Sequence, residues 1–352
     1  MLESNMLRIG KAEDVGVSRA RLERVLELIE GWTKEGTIPG AAIYLARQGT
    51  IILHRGFGQT VSLRQENREP RATQSDEIFL IASPTKPIVV MAVMLLVERG
   101  KLLLDDPVSS LIPEFGGKDR EGVRVRHLMT HTSGLPDMLA ENMELREQHA
   151  PYTEFAQRAC ATPLLFAPGT NCSYQSMGIA LLGEIIERIE GVPVREFLDR
   201  EFFVPLAMTD SYLGTGRLPH SRMAEVALTE EQAQSRGNWN TDYWRDFGAP
   251  WGGMHSTVSN YAIVLQMLLN GGRYAHRQIL GKTTVEMMLT NQIAAMPDMP
   301  AKVKMEQAWG LGWRLNQARG AHHFAELASP HTFGHAGATG TTAWADPQTG
   351  LL

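Results

Sequence analysis

IASPTKPIVVMAVMLLVERG, residues 81–100, sets a polar Ser-Pro-Thr-Lys run directly in front of a long apolar stretch. From Val89 onward the apolar residues recur at helical spacing (Val89, Val90, Val93, Met94, Leu96, Val97), which predicts a mostly buried helix ending at Gly100. Ser83 suits the N-cap and Pro84 the first helical position. Lys86 then stands one turn above Ser83 on the same face, within an apolar surround. It is the only lysine between Lys34 and Lys101, in a chain that carries most of its positive charge as arginine. Lysine differs from arginine in shedding its proton when desolvated, as a general base must. A Ser-x-x-Lys match is short enough to arise by chance, so its weight depends on what accompanies it.

Outward from this stretch, Ser18 to Gly36 places Leu22, Val25, Leu26, Ile29 and Trp32 on one helical face. GAAIYLARQGTIILHRGFG (40–58) follows as two short strands around Gln48-Gly49. From 83 to about 250 helical patterns dominate, among them RHLMTHTSGLPD (126–137) and SMGIALLGEIIERIEG (176–191), and strand signals nearly vanish. They return after the helix STVSNYAIVLQMLLNGG (256–272), in WGLGWRL (309–315), HTFGHAGATG (331–340) and GTTAWADPQTG (340–350). Strands at both ends with helices between predict an α/β domain from residues 1–75 and 252–352, and a mainly helical domain, 76–251, inserted in it.

With 352 residues, 43% of them hydrophobic, the chain can bury a large core. A net charge of −5 with interspersed charges gives no basic field for nucleic acid, and no segment reaches 18 uninterrupted apolar residues. The opening MLESNMLRIGKAEDVGVSRARLERV has no apolar core behind a basic flank, so no secretion signal is read there. Cys160 and Cys172, the two cysteines, suit a reducing compartment, and a cytoplasmic location is expected.

If Ser83 is a nucleophile it needs a proton acceptor and an oxyanion site. Tyr174, in NCSYQSMGIALLGEII after the turn Ala167-Pro168-Gly169, offers a phenol at the mouth of a helix, although a buried structural tyrosine reads the same way. FGHAGATG has small residues where another backbone can approach closely, or is simply an edge strand and turn.

Together, Ser83-Pro84-Thr85-Lys86, Tyr174-Gln175-Ser176, His335-Ala336-Gly337 and the phrases LMTHTSGLPD and WGLGW resemble the serine β-lactamase and penicillin-binding-protein superfamily, in the branch of class C β-lactamases and family VIII carboxylesterases. The resemblance runs from about residue 15 to 352 in the expected order. It implies an antiparallel sheet flanked by helices with an inserted helical domain. It also implies an acyl-enzyme on Ser83, with Lys86 and Tyr174 sharing the work of general base and acid. The oxyanion is expected between the N–H groups of Ser83 and Ala338, with Ser176, His335 and Gly337 lining the substrate. Ser176 and His335 replace the asparagine and lysine found in many β-lactamases and peptidases of the superfamily. Both changes are familiar in the esterase branch, and Lys282-Thr283-Thr284 does not supply the missing Lys-Thr-Gly. A carboxylesterase on short-chain acyl esters is therefore expected. A β-lactamase or D-amino-acid peptidase or amidase is the alternative, and a silent scaffold binding peptides or cell-wall fragments belongs to another class.

No cofactor is expected, since neither a Walker A nor a dinucleotide loop appears, and the partner is a small-molecule ester or amide. G-x-S-x-G is absent. His127 and His131 lack the glutamate of H-E-x-x-H, and His322, His323, His331 and His335 have no regular ligand spacing, so no metal is expected. The sequence stops at Leu352 just after the turn Asp346–Gly350, where a strand begins. The resemblance implies that this strand lies centrally between the 340–346 strand and the N-terminal hairpin and is followed by a helix, so the sequence is expected to be a fragment.

Overall fold

The computed structural model describes residues 6–63, 69–317 and 324–352. Helix α1 (Arg19–Lys34) starts where Ser18 Oγ accepts the Arg21 N–H (3.4 Å). Ile29 is buried, while Val25, Leu28 and Trp32 on the same side remain exposed. Strands β1 (Gly40–Arg47) and β2 (Thr50–Thr60) pair antiparallel across Gln48-Gly49. Both turn residues take positive φ (51° and 78°), the twist that a two-residue hairpin requires.

Helix α2 (Thr85–Glu98) is buried all round from Thr85 to Leu96, as a helix without a polar face must be. Its N-cap is Pro84 rather than Ser83. The Thr85 N–H and Oγ1 both donate to the Ala82 carbonyl (2.9 and 2.6 Å), so Thr85 closes the entering turn and leaves the Ser83 side chain without a capping duty. Arg99 is the C-cap and Gly100 follows with φ +66°, as expected. Helix α4 (Met177–Glu190) packs against α2, and one continuous core joins both to α3 (Val125–Met129), α5 (Val258–Leu269), Ala345 and Leu352.

A small sheet of β3 (Phe79–Leu80), β4 (Tyr212–Leu213) and β5 (Met254–Ser256), in the order β3-β5-β4, brackets the helical stretch, and only β4 falls within 83–250, where strand signals nearly vanish. Strands of two or three residues are too short to show an alternating pattern. WGLGWRL is likewise mostly a turn, because Gly312 takes φ +78° with no room for a side chain against Val90. Only Arg314–Leu315 extends, as β6.

Strand β6 pairs with β7 (Phe333–Gly337), which pairs antiparallel with β8 (Thr341–Ala345). Among the described residues β1 and β8 form no ladder with each other. Leu351 forms isolated antiparallel bridges to Arg47 on one side and to Asp346 on the other. Between β1 and β8 lies a cavity of about 500 Å³ walled by Ala42, Tyr44, Tyr261, Leu265 and Trp344. No helix among the described residues is long and apolar enough to cross a membrane.

Candidate active site

The turn that opens α2 is held from three sides. Met254 N–H donates to Thr85 Oγ1 (3.1 Å), Tyr261 Oη donates to the Pro84 carbonyl (2.9 Å), and Ala82 sits at φ +53°, a conformation that costs a non-glycine residue. Ser83 emerges from it half-buried. Lys86, 1% exposed, places Nζ 3.2 Å from Ser83 Oγ and 2.8 Å from the Trp251 carbonyl, to which it donates. Burial pushes the ammonium down to about 7, with the charge of Asp137 opposing the shift.

Tyr174 faces the same lysine, whose Nζ is 4.7 Å from the ring centroid. Its hydroxyl is buried without a hydrogen bond among the described residues. Burial drives its acidity well below that of an ordinary phenol; the Ser83 side chain pulls the other way and Asp137 adds to the rise in pKa. The ring belongs to an aromatic wall with His131 (4.7 Å), Trp309 (5.9 Å) and His335 (6.0 Å). His131 Nδ1 accepts the Gln175 N–H (3.2 Å), so in the neutral ring the proton is on Nε2. Burial, and next the charge of Lys86, hold this imidazole well below its usual pKa. Ser176 caps α4, is 1% exposed, and donates its hydroxyl proton to Asp137 Oδ1 (2.6 Å).

The third side of the site comes from the β7–β8 hairpin. Thr339 Oγ1 donates to the Leu80 carbonyl (2.7 Å) and Thr341 Oγ1 to the Ile81 carbonyl (2.6 Å), stitching the hairpin to the backbone just before Ser83. A Cβ on Gly337 would lie 2.3 Å from the Ile81 oxygen and 2.9 Å from Pro84 Cδ, so the close approach read in FGHAGATG is real and needs glycine. Ala338 follows. Among the described residues neither its N–H nor that of Ser83 is given to another protein group. His335, 4% exposed, donates from Nδ1 to the Ala336 carbonyl (2.8 Å), an assignment that fixes Nε2 as the acceptor of its neutral form. Beyond Ala338 opens a cleft of about 990 Å³ bounded by Phe79, Gly340, Val226 and Trp239.

Ser83, Lys86, Tyr174, Ser176, His335, Gly337 and Ala338 thus converge on one place. Sequence reasoning missed Asp137, Thr339, Thr341 and the Trp251 carbonyl. Asp137 ended a phrase that drew attention as a whole, and the threonines look like ordinary strand residues. His127 and His131 each accept a backbone N–H at Nδ1, from Arg124 and Gln175. No group of three histidine, cysteine or acidic residues suited to a metal occurs among the described residues. His322 and His323 lie outside them.

Known proteins fit this geometry. Esterase EstB of Burkholderia gladioli is 34% identical over 214 residues, which are 56% of this chain and 52% of that esterase, so the chain spans about half the length of that relative. N-acetylmuramyl-L-alanine amidase of Bacillus subtilis is 25% identical across 97% of this chain and 81% of its own. The crystal structure of a family VIII carboxylesterase superposes with a TM-score of 0.73 over 96% of this chain and 91% of that one, at 23% identity, which speaks for the fold. The Beta-lactamase family model matches residues 25–352, nearly the whole chain, and the protein belongs to that family of serine hydrolases.

Proposed function

We propose that the protein is a carboxylesterase acting on short-chain acyl esters through an acyl-enzyme on Ser83. The observation that carries this reading is Lys86 Nζ, 3.2 Å from Ser83 Oγ in dry surroundings and shifted to about 7. A neutral amine there accepts the Ser83 proton as Oγ attacks the ester carbonyl. Tyr174, whose phenol burial keeps protonated, is the group that passes a proton to the departing alkoxide, and is restored from Lys86. The free N–H groups of Ser83 and Ala338 receive the oxyanion, each such donor being worth about 3 kcal/mol. Water then releases the acid by the reverse proton path.

An alkoxide departs with less proton assistance than an amide nitrogen. A β-lactam or D-peptide also brings a carboxylate, which the family's lysine would pair and His335 does not match as a fixed charge. Hydrogen bonds to charged groups are worth about 1.5 to 3 kcal/mol, so turnover of such substrates is expected to be roughly ten- to a hundredfold poorer. The test compares kcat/KM for p-nitrophenyl butyrate and a chromogenic cephalosporin. A cephalosporin value at or above the ester value overturns the reading in favour of a β-lactamase. Ser83→Ala should abolish turnover with the fold intact; residual activity above about a thousandth of wild type would move the nucleophile elsewhere. Amide hydrolysis is the second reading, supported by the amidase that aligns over 97% of this chain. Free Cys160 and Cys172 fit the reducing cytoplasm in which we place the protein.

A further inference from the structure

We propose that Asp137 sets the charge preference of the site, favouring esters that carry a cation at its mouth and turning away those that carry a carboxylate there. The proposal rests on the esterase reading and narrows its substrate class. Asp137 is exposed, whereas Ser176 behind it is buried. Two bonds fix the residue: its carbonyl accepts the Ser176 N–H (3.1 Å) and its Oδ1 accepts the Ser176 hydroxyl (2.6 Å). A hydroxyl has one proton to give, so Ser176 has none left for a substrate carbonyl, and Asp137 Oδ2 adds a second acceptor. A substrate therefore meets a negative, accepting surface beside α4. The carboxylate acts on both Lys86 and Tyr174, which places it within electrostatic reach of the reacting atoms. The Arg314 guanidinium, which acts on neighbouring His131, stacks on Trp309 (5.0 Å) and donates to Gln307 (2.8 Å).

The experiment measures kcat/KM at low salt for two substrate series, in wild type and Asp137→Asn. One varies the acyl side: p-nitrophenyl esters of 4-(trimethylammonio)butyric, valeric and glutaric acids. The other varies the alcohol side: butyrylthiocholine against the neutral thioester of 3,3-dimethylbutanethiol. Wild type should favour the cation over the anion or the neutral ester in at least one series, and Asp137→Asn should reduce that ratio roughly tenfold, as expected for one nearby charge in partly wet surroundings. Added salt should shrink the wild-type ratio and leave that of the variant flat. Ratios unchanged by Asp137→Asn in both series overturn the proposal. So does a fall in melting temperature alone, which would make Asp137 a helix cap only. If wild type cleaves none of the esters, the esterase reading fails by itself. The charge preference is then read from the rates at which cationic and neutral fluorophosphonates label Ser83, where equal rates overturn it.

Discussion

On the mechanism proposed above, Lys86 is the residue at which stability and chemistry conflict. Among the described residues no carboxylate forms an ion pair with it, so the fold pays for the lysine by lowering its pKa from 10.5 to about 7. Two measurements follow from that shift. Ester kcat/KM should rise with pH and reach half its plateau near pH 7, as Lys86 loses its proton; a profile flat from pH 5 to 9 would exclude it as the base. Stability carries the same signature. Above pH 10.5 the lysine is neutral whether folded or unfolded; as pH falls towards 7 the unfolded chain takes the proton first, so folding weakens across that window and the full penalty stands below it. Each pKa unit costs about 1.4 kcal/mol. Lys86→Met should therefore abolish turnover yet melt higher than wild type at pH 7, with the advantage narrowing towards pH 10. A lower melting temperature at pH 7 would mean that the bonds to Trp251 and Ser83 outweigh the desolvation.

The β7–β8 hairpin and the N-terminus of α2 hold their separation through two threonine hydroxyls and one glycine. Replacing Thr341 by valine keeps the shape and removes the bond to the Ile81 carbonyl. A neutral hydrogen bond is worth about 0.5 to 1.5 kcal/mol, so kcat should fall roughly three- to tenfold with KM little changed if the loss loosens Ala338 relative to Ser83. Equal effects on kcat and KM would point to substrate binding instead. Elements of this size show how far a sequence can be read. The 40–58 hairpin, α1, α2 and the 256–272 helix were legible because periodicity and turn residues agree over a dozen positions. The β3-β5-β4 sheet was not, since its strands exist only through partners far away in the chain. Ser83 and Lys86 were legible because both ends of their contact lie within one helical turn, whereas Asp137 with Ser176, and Thr341 with Ile81, meet only in three dimensions.

On the division we propose, the site lies at a seam, with Ser83, Lys86 and Tyr174 from residues 76–251 and His335 to Ala338 from the discontinuous part. Such a seam can be precise only if the segments around it are anchored, and a fully buried cation anchors one wall. Arg245 donates to the carbonyls of Trp239 (2.6 Å) and Ala224 (3.1 Å), to Asn240 Oδ1 (2.9 Å) and to His255 Nε2 (3.0 Å). His255 can accept there because its Nδ1 donates to the Gly214 carbonyl (2.9 Å), and burial keeps the ring neutral. One guanidinium thereby ties residues 224–240, which bound the cleft beyond Ala338, to β5, whose Met254 N–H holds Thr85 at the head of α2. Removing it leaves several buried acceptors unmatched, a change that typically costs about 3 kcal/mol or more. Arg245→Leu should lower the urea midpoint accordingly. Because the loosened wall borders the cleft rather than the Ser83–Lys86 pair, KM for the ester should rise more than kcat falls. A variant with wild-type KM and only a lower midpoint would show that the 224–240 wall takes no part in holding the substrate.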